Sequence, residues 1–168
     1  RDNSGFVSGS ADGYVRMWKW GVKKSTDDEH KRVMLHASKR SMKLESDVLS
    51  VKISSNESFL AAALLDATIR VFHMDTFNVY LTLYGHKLPV LSIDISADSQ
   101  LVVSGSADKN IRIWGLDFGD CHRSLFAHND SVTQVAFVHT THYVMSVGKD
   151  GMLKYWDADK FELLLELP

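Results

Sequence analysis

The sequence predicts an all-β chain, an open arc of about three and a half four-stranded β-propeller blades. Three observations predict it. A short polar turn carrying an aspartate recurs four times, an aromatic residue follows each aspartate six positions later, and the stretches between alternate apolar and polar residues with period two. The aspartates are Asp12, Asp66, Asp108 and Asp150, and their aromatics are Trp18, Phe72, Trp114 and Trp156. Successive units therefore lie 54, 42 and 42 residues apart. A step of 42 accommodates four short strands with their turns. The first step is longer by 12, which predicts an insertion between the first and second units.

The third unit shows each element plainly. Leu91, Ile93 and Ile95 alternate with Ser92, Asp94 and Ser96, the signature of an inner strand with one apolar face. A turn at Ala97-Asp98-Ser99 leads to a second strand, Leu101 to Ser106. Ala107-Asp108-Lys109-Asn110 has the composition of a tight turn, followed by a third strand from Ile111 to Trp114. Gly119-Asp120 marks another turn, and Cys121 to Phe126 forms the outer strand. The second unit repeats the inner pattern with Leu49, Val51 and Ile53, the fourth more loosely with Val135 and Phe137. The first unit begins at its second strand. The expected blades are thus 5–46, incomplete and carrying the insertion, then 47–84, 85–126 and 127–168. An open arc leaves apolar blade faces uncovered, so the isolated chain is expected to associate.

Bulk composition excludes several classes. The chain is 45% hydrophobic and 24% charged, ordinary for a globular protein, and its net charge of −2 selects no partner. Cys121 is the single cysteine, so no intrachain disulfide can form, and a reducing compartment is the simple reading. No apolar run is long enough to span a bilayer and no signal-peptide pattern is visible, so no membrane partner is expected. The chain opens in mid-pattern at Arg1 without an initiator Met, which reads as a piece of a longer protein.

These units resemble the WD40-repeat family. The family's glycine–histidine signature stands as Gly85-His86 and, weakened, as Ala127-His128. Its closing Trp-Asp pair stands as Trp156-Asp157 and has drifted to Trp114-Gly115, Phe72-His73 and Trp18-Lys19. The resemblance implies a hydrogen-bonded structural tetrad in each blade. Repeat three would supply His86, Ser104, Asp108 and Trp114, and repeat four His128, Ser146, Asp150 and Trp156. The first repeat would contribute Ser8, Asp12 and Trp18. The physical logic is satisfaction of buried polar groups: the imidazole bridges turn Asp and strand Ser, and the buried indole N–H needs an acceptor. Ser, His and Asp together also suggest a hydrolase, but a catalytic triad is needed once and this set is duplicated. No catalytic residue, cofactor or metal is therefore expected. In repeat two Leu44, Ala62 and Phe72 replace His, Ser and Trp, which predicts an apolar blade core there.

Other polar features carry weaker signals. His139 and His142 flank Thr140-Thr141 in a predicted hairpin turn, where solvated histidines are expected. A zinc site would need two more ligands, and Cys121-His122 falls on an outer strand. No glycine-rich phosphate loop is present. Arg16, Arg70, Arg112 and Lys154 each stand two positions before the aromatic. They are expected to cover neighbouring apolar surface with their long stems rather than form a nucleic-acid stripe.

The insertion is the least generic segment. Residues 19–46 hold eight lysines and arginines against four acids, and the rest of the chain holds eleven against seventeen. Part of it must be the outer strand of blade one, expected near Arg32-Val33-Met34-Leu35. The stretch from Val22 to His30 is polar enough to be mobile. A solvated loop is the simple expectation. A contact to RNA or an acidic partner through Lys23, Lys24, Lys39 and Arg40 is the functional one.

One stretch is more particular than a generic repeat. It runs from Ser104 through Trp114-Gly115-Leu116-Asp117-Phe118-Gly119-Asp120 to Cys121-His122 and on to Ser124-Leu125-Phe126-Ala127-His128. Lys154-Tyr155-Trp156-Asp157 with Lys160-Phe161-Glu162 adds to it. Together they resemble the second propeller of a WD-repeat subunit class of the eukaryotic small-subunit processome. That resemblance implies a nucleolar, non-catalytic scaffold of the UTP-B subcomplex, with other WD-repeat subunits as partners. It further implies direct or indirect association with pre-ribosomal RNA and U3 small nucleolar RNA, in support of 18S rRNA processing. A generic protein-interaction propeller, serving signalling or substrate reception, is the alternative.

Overall fold

The computed structural model describes residues 5–23 and 32–168, with side chains described for 5–20 and 40–168. Among these residues it contains fifteen strands and no helix, because apolar residues alternating at period two are cut every few positions by turn formers. Blade one has three strands, β1 (Gly5–Gly9), β2 (Tyr14–Lys23) and β3 (Arg32–Lys43). Blade two has four: β4 (Val48–Ile53), β5 (Phe59–Leu64), β6 (Ile69–His73) and β7 (Val79–Leu83). Blade three repeats them as β8 (Val90–Ile95), β9 (Leu101–Ser106), β10 (Asn110–Gly115) and β11 (Cys121–Phe126). Blade four closes the series with β12 (Val132–Phe137), β13 (Tyr143–Gly148), β14 (Leu153–Asp157) and β15 (Glu162–Leu167). Each sheet is an antiparallel meander, and β4, β8 and β12 pack against one another as the inner strands.

The backbone repeats as faithfully as the sequence. The turn after each second strand places one residue in the left-handed region: Gly13, Ala67, Lys109 and Gly151, with φ of 79°, 68°, 73° and 80°. The turn before the outer strand does so in blades two, three and four, at Phe77, Gly119 and Phe161. Non-glycine residues tolerate this conformation at modest cost in tight turns.

Apolar side chains meet between blades rather than within them. Ala61, Ala63, Ile69 and Val71 of blade two lie against Val90, Ile93, Val102 and Trp114 of blade three. Val103, Ile111 and Ile113 of blade three lie against Val132, Val135, Val144 and Trp156 of blade four. Between blades one and two, Val15, Leu44, Val48, Leu60, Ala62 and Phe72 form the apolar core expected where the polar set is missing. Each large aliphatic side chain so buried contributes roughly 1.5–3 kcal/mol.

The expected layout of the insertion needs correction. The outer strand of blade one is longer than Arg32–Leu35. It runs to Lys43, and the part beside the aspartate turn and its aromatic is the later one, with Ala37 opposite Trp18 and Lys43 opposite Tyr14. Arg32 to Leu35 instead pair with Lys23 to Trp20, so the extra residues lengthen both strands into a two-stranded ribbon. Val22 and Lys23 therefore belong to β2 rather than to a mobile loop, while residues 24–31 lie outside the described residues. The inner strand of blade three adds a feature that the alternation does not show. Its polar positions Ser92, Asp94 and Ser96 are buried. Ser92 Oγ accepts the Val135 N–H at 3.2 Å and Asp94 Oδ2 accepts the Phe137 N–H at 2.8 Å. The exposed edge of β12 is thereby capped by side chains from the preceding blade.

Candidate functional site

In antiparallel meanders the turn after the second strand and the link to the next blade share one rim of the arc. That rim carries the aspartates and histidines. The His86 imidazole spans Asp108 Oδ2, 2.9 Å from Nδ1, and Ser104 Oγ, 2.8 Å from Nε2. The Trp114 indole N–H donates to the same Ser104 oxygen at 2.9 Å. Blade four reproduces the set: His128 Nδ1 to Asp150 Oδ1 at 3.0 Å, Nε2 to Ser146 Oγ at 2.8 Å, and Trp156 Nε1 to Ser146 Oγ at 2.9 Å. One tautomer satisfies every group. Nδ1–H donates to the carboxylate, Nε2 accepts the serine O–H, and the serine oxygen accepts the indole N–H.

Electrostatics agree with a neutral ring. Burial pushes the His86 imidazole below its ordinary range, against the opposing pull of Asp108. Burial would raise Asp108, but donors from the Lys87 N–H, His86 and the Asn110 N–H outweigh it and hold the carboxyl below its usual range. Asp150 is lowered likewise, burial being overcome by the Asn129 and Met152 N–H groups and by His128.

The distances are those of a Ser–His–Asp triad, yet the chemistry available is different. Ser104 and Ser146 are 0% exposed, so no substrate carbonyl can approach either oxygen. Each oxygen is already engaged by an indole N–H. A nucleophile needs an accessible lone pair and donors for a developing oxyanion. What the arrangement does is tie the inter-blade loop, the second strand and the third strand of one blade together.

Blade one is partial. Ser8 Oγ accepts the Trp18 indole N–H at 2.7 Å, while Asp12 pairs with Arg16 at 2.7 Å. The Arg16 guanidinium, with the Tyr14 N–H, lowers the Asp12 carboxyl to about 2. The four basic positions before the aromatics are each engaged. Arg70 lies 3.7 Å from Glu45, Lys154 lies 3.4 Å from Glu166, and Arg112 sits 5.8 Å over the Trp114 ring. Arg112 also packs across Gly85, where an added Cβ would run into its guanidinium.

Of the basic insertion residues, Arg40 is exposed, with its guanidinium 5.9 Å from the Phe77 ring centroid. Lys23 lies on β2 and Lys39 on β3, but their side chains lie outside the described residues, as does the whole of Lys24. Exposed Cys121 and His122 occupy the outer strand β11, and His122 Nε2 lies 3.3 Å from Asp120. No cluster able to hold a metal occurs among the described residues.

His142 departs from the expected solvated turn. Its Nδ1 lies 2.7 Å from Asp159 and its Nε2 3.0 Å from Asp98, so it bridges blades three and four on the opposite rim. Burial opposes its charging, but the two carboxylates prevail and raise the imidazole above its ordinary 6.5. Asp94 and Ser92 were also beyond the reach of sequence reasoning as inter-blade caps, since their partners lie 43 residues on. The alternation of Ser92 and Asp94 with Leu91 and Ile93 was the only signal.

A family model described as the WDR3 second beta-propeller domain matches residues 1–168, the whole chain. The chain belongs to this family. Among curated relatives of the WDR3 second-propeller family, human WD repeat-containing protein 3 is 50% identical over 89 residues. That stretch is 53% of this chain and 9% of the human protein. The Dictyostelium discoideum WD repeat-containing protein 3 homolog is 51% identical over 89 residues, with the same coverage of both chains. The Saccharomyces cerevisiae U3 small nucleolar RNA-associated protein 12 is 48% identical over 93 residues, 53% of this chain and 10% of that protein. The matched stretch thus spans about a tenth of the relatives' length. The chain is a WD-repeat β-propeller segment, as the repeat spacing and the tetrads require.

Proposed function

We propose that this chain is a non-catalytic scaffold segment of a ribosome-biogenesis WD-repeat protein. In this reading the parent protein is a subunit of the small-subunit processome, held among other WD-repeat subunits of the UTP-B subcomplex in the nucleolus. It supports assembly of the U3 small nucleolar ribonucleoprotein on pre-ribosomal RNA and the processing that yields 18S rRNA. The observation that carries the reading is the whole-chain match to the WDR3 second-propeller family. The yeast relative's name, which ties it to U3 small nucleolar RNA, supports it further. The sealed Ser–His–Asp sets support the non-catalytic part, since both serines are buried and spent on indole N–H groups.

The parent protein, tagged and expressed from its own locus, is expected to concentrate in the nucleolus and to co-purify with U3 RNA and other WD-repeat subunits. Depletion is expected to lower 18S rRNA relative to 28S-type rRNA. A cytoplasmic protein that recovers no U3 RNA overturns the reading and favours a generic interaction propeller. Within the reading, the basic ribbon supplies a contact to RNA or an acidic partner through Lys23, Lys24, Lys39 and Arg40. Their combined replacement by Gln is expected to weaken RNA crosslinking and reduce its salt dependence. Unchanged crosslinking at low salt removes that role and leaves the scaffold assignment standing.

A further inference from the structure

Blade one ends on an outer strand unlike those of the other blades. β3 runs for 12 residues, where β7, β11 and β15 run for 5 or 6. It pairs with β2 on one side, and no strand lies along its other side among the described residues. That side presents a row of backbone N–H and C=O groups. Neither end of the chain creates this edge, because β3 runs on through Leu44 into the inner strand of blade two. Blades join face to face, so further blades at the ends of the arc would leave an outer edge open.

Past the blade, β2 and β3 continue as a ribbon with two unlike faces. Arg32 to Ala37 pair with Lys23 to Trp18 without interruption. Residues directly opposite one another share a face, and faces alternate along a strand. By register one face holds Trp18, Trp20, Val22, Val33, Leu35 and Ala37. The other holds Lys19, Gly21, Lys23, Arg32, Met34 and His36. Lys39 and Arg40 fall in the irregularity that follows Ala37. β2 and β3 together carry seven lysines and arginines and no aspartate or glutamate. Pairing of β1 with β2 reaches only Lys19, so beyond it the described sheet is two strands wide. Two strands alone are marginally stable in water, and a third strand gives such a ribbon a durable sheet.

We propose that the free edge of β3 binds, by strand addition, an extended acidic segment of a partner protein in which apolar and acidic residues alternate. The added strand continues both faces of the ribbon. Its apolar residues fall on the face of Trp20 and Leu35, and its carboxylates on the face of Lys19 and Arg32. A second β3 is disfavoured on this edge, because it would set like charges against one another. RNA answers the charges but has no row of amide groups to pair with the edge. Strand addition rests on the charged ribbon contact proposed above, in its acidic-partner form, and adds the backbone edge to it.

Fluorescence anisotropy tests this, with a labelled peptide of alternating Glu and Val, about eight residues long, titrated with the 168-residue chain. The peptide is expected to bind, and its backbone carbonyls, labelled with carbon-13, are expected to take the infrared position of paired strands. The same peptide N-methylated at every peptide bond keeps its charges, loses its N–H groups and is expected not to bind. Lys19→Glu/Arg32→Glu is expected to weaken binding about tenfold with an unchanged far-UV β-sheet spectrum. A peptide with Lys in place of Glu is expected to bind that variant better than the wild type. Absence of binding overturns the proposal, as does failure of the Lys peptide to prefer the variant. Equal binding of the N-methylated peptide, or displacement by an oligouridylate of equal charge at equal concentration, also overturns it and leaves a surface for polyanions such as RNA. A full-length parent protein that takes up no peptide, when the 168-residue chain does, shows the edge covered by its own polypeptide and refutes the partner. None of these failures touches nucleolar localisation or co-purification with U3 RNA, on which the scaffold reading is tested separately.

Discussion

Ser104→Ala isolates the energetics of the buried polar set. The hydroxyl it removes serves two partners at once, the His86 ring at 2.8 Å and the Trp114 N–H at 2.9 Å. Ser104 is 0% exposed, so water cannot replace it. Each orphaned group costs roughly 1–3 kcal/mol, so the variant is expected to lose about 2–6 kcal/mol. Ser8→Ala removes the corresponding oxygen from Trp18, whose indole is partly exposed and can turn to solvent, so its cost stays near about 0.5–1 kcal/mol. Blade two indicates how to offset the loss. There Leu44, Ala62 and Phe72 fill the same three positions, buried and apolar. The triple variant His86→Leu/Ser104→Ala/Trp114→Phe removes donors and acceptors together. It is expected to cost no more than Ser104→Ala alone, the residual coming from the smaller ring. Urea unfolding followed by circular dichroism at dilute, monomeric concentration measures all of these, with an unchanged m-value as the control. Additive losses, with the triple variant as unstable as the three singles summed, would refute the reasoning.

The His142 bridge to Asp98 and Asp159 should make stability pH-dependent. Because the folded imidazole is raised above 6.5, its contribution is fully present below about pH 6.5 and fades as pH rises through the folded value. The group is partly exposed, so His142→Gln is expected to cost only about 0.5–1 kcal/mol at pH 6 and less at pH 8. A gap in Tm that widens with pH contradicts this. Gly85→Ala drives a Cβ into the Arg112 guanidinium at a φ of 152°, and about 1–3 kcal/mol should be lost. Shortening the arginine in Gly85→Ala/Arg112→Ala should relieve only the clash, so complete rescue would deny the backbone strain. Asp94→Asn keeps an acceptor for the Phe137 N–H but loses the Lys52 pair at 2.7 Å, a half-exposed contact worth at most about 1 kcal/mol. Asp94→Ala strands the N–H as well and should cost roughly 1–3 kcal/mol more. Equal losses in the two variants would show that edge capping contributes nothing.

Much of the fold was legible because its signals are local. The aspartate turn and the aromatic six residues later lie within one hairpin, and period-two patterning reports burial directly. The recurring aspartate and aromatic were legible from spacing, while the joining of His, Ser, Asp and Trp into one set was implied by the resemblance to the WD40-repeat family. What escaped depended on neighbours far along the chain. Asp94 and Ser92 cap N–H groups 43 residues on, and His142 reaches Asp98 across 44 residues. The ribbon was misjudged for a different reason. Its charges gave it the composition of a loop, although Trp18, Trp20 and Val22 alternate as a strand should, and backbone pairing does not require an apolar composition.

The persistence of Asp66 in blade two, where histidine, serine and tryptophan are all gone, follows from two separable roles of the turn aspartate. In all four blades its Oδ1 accepts the N–H two residues on: Tyr14 at 3.0 Å, Thr68 at 2.9 Å, Asn110 at 3.0 Å and Met152 at 3.2 Å. That bond closes the turn whose next residue, at 13, 67, 109 or 151, is held at positive φ. Anchoring a histidine is a second role, present only where Asp108 and Asp150 meet His86 and His128. Losing the histidine therefore removes one function and leaves the other, so the aspartate stays while its partners become Leu44, Ala62 and Phe72. The aspartate belongs to the hairpin and the rest of the set to the seam between loop and sheet, which an apolar core can replace.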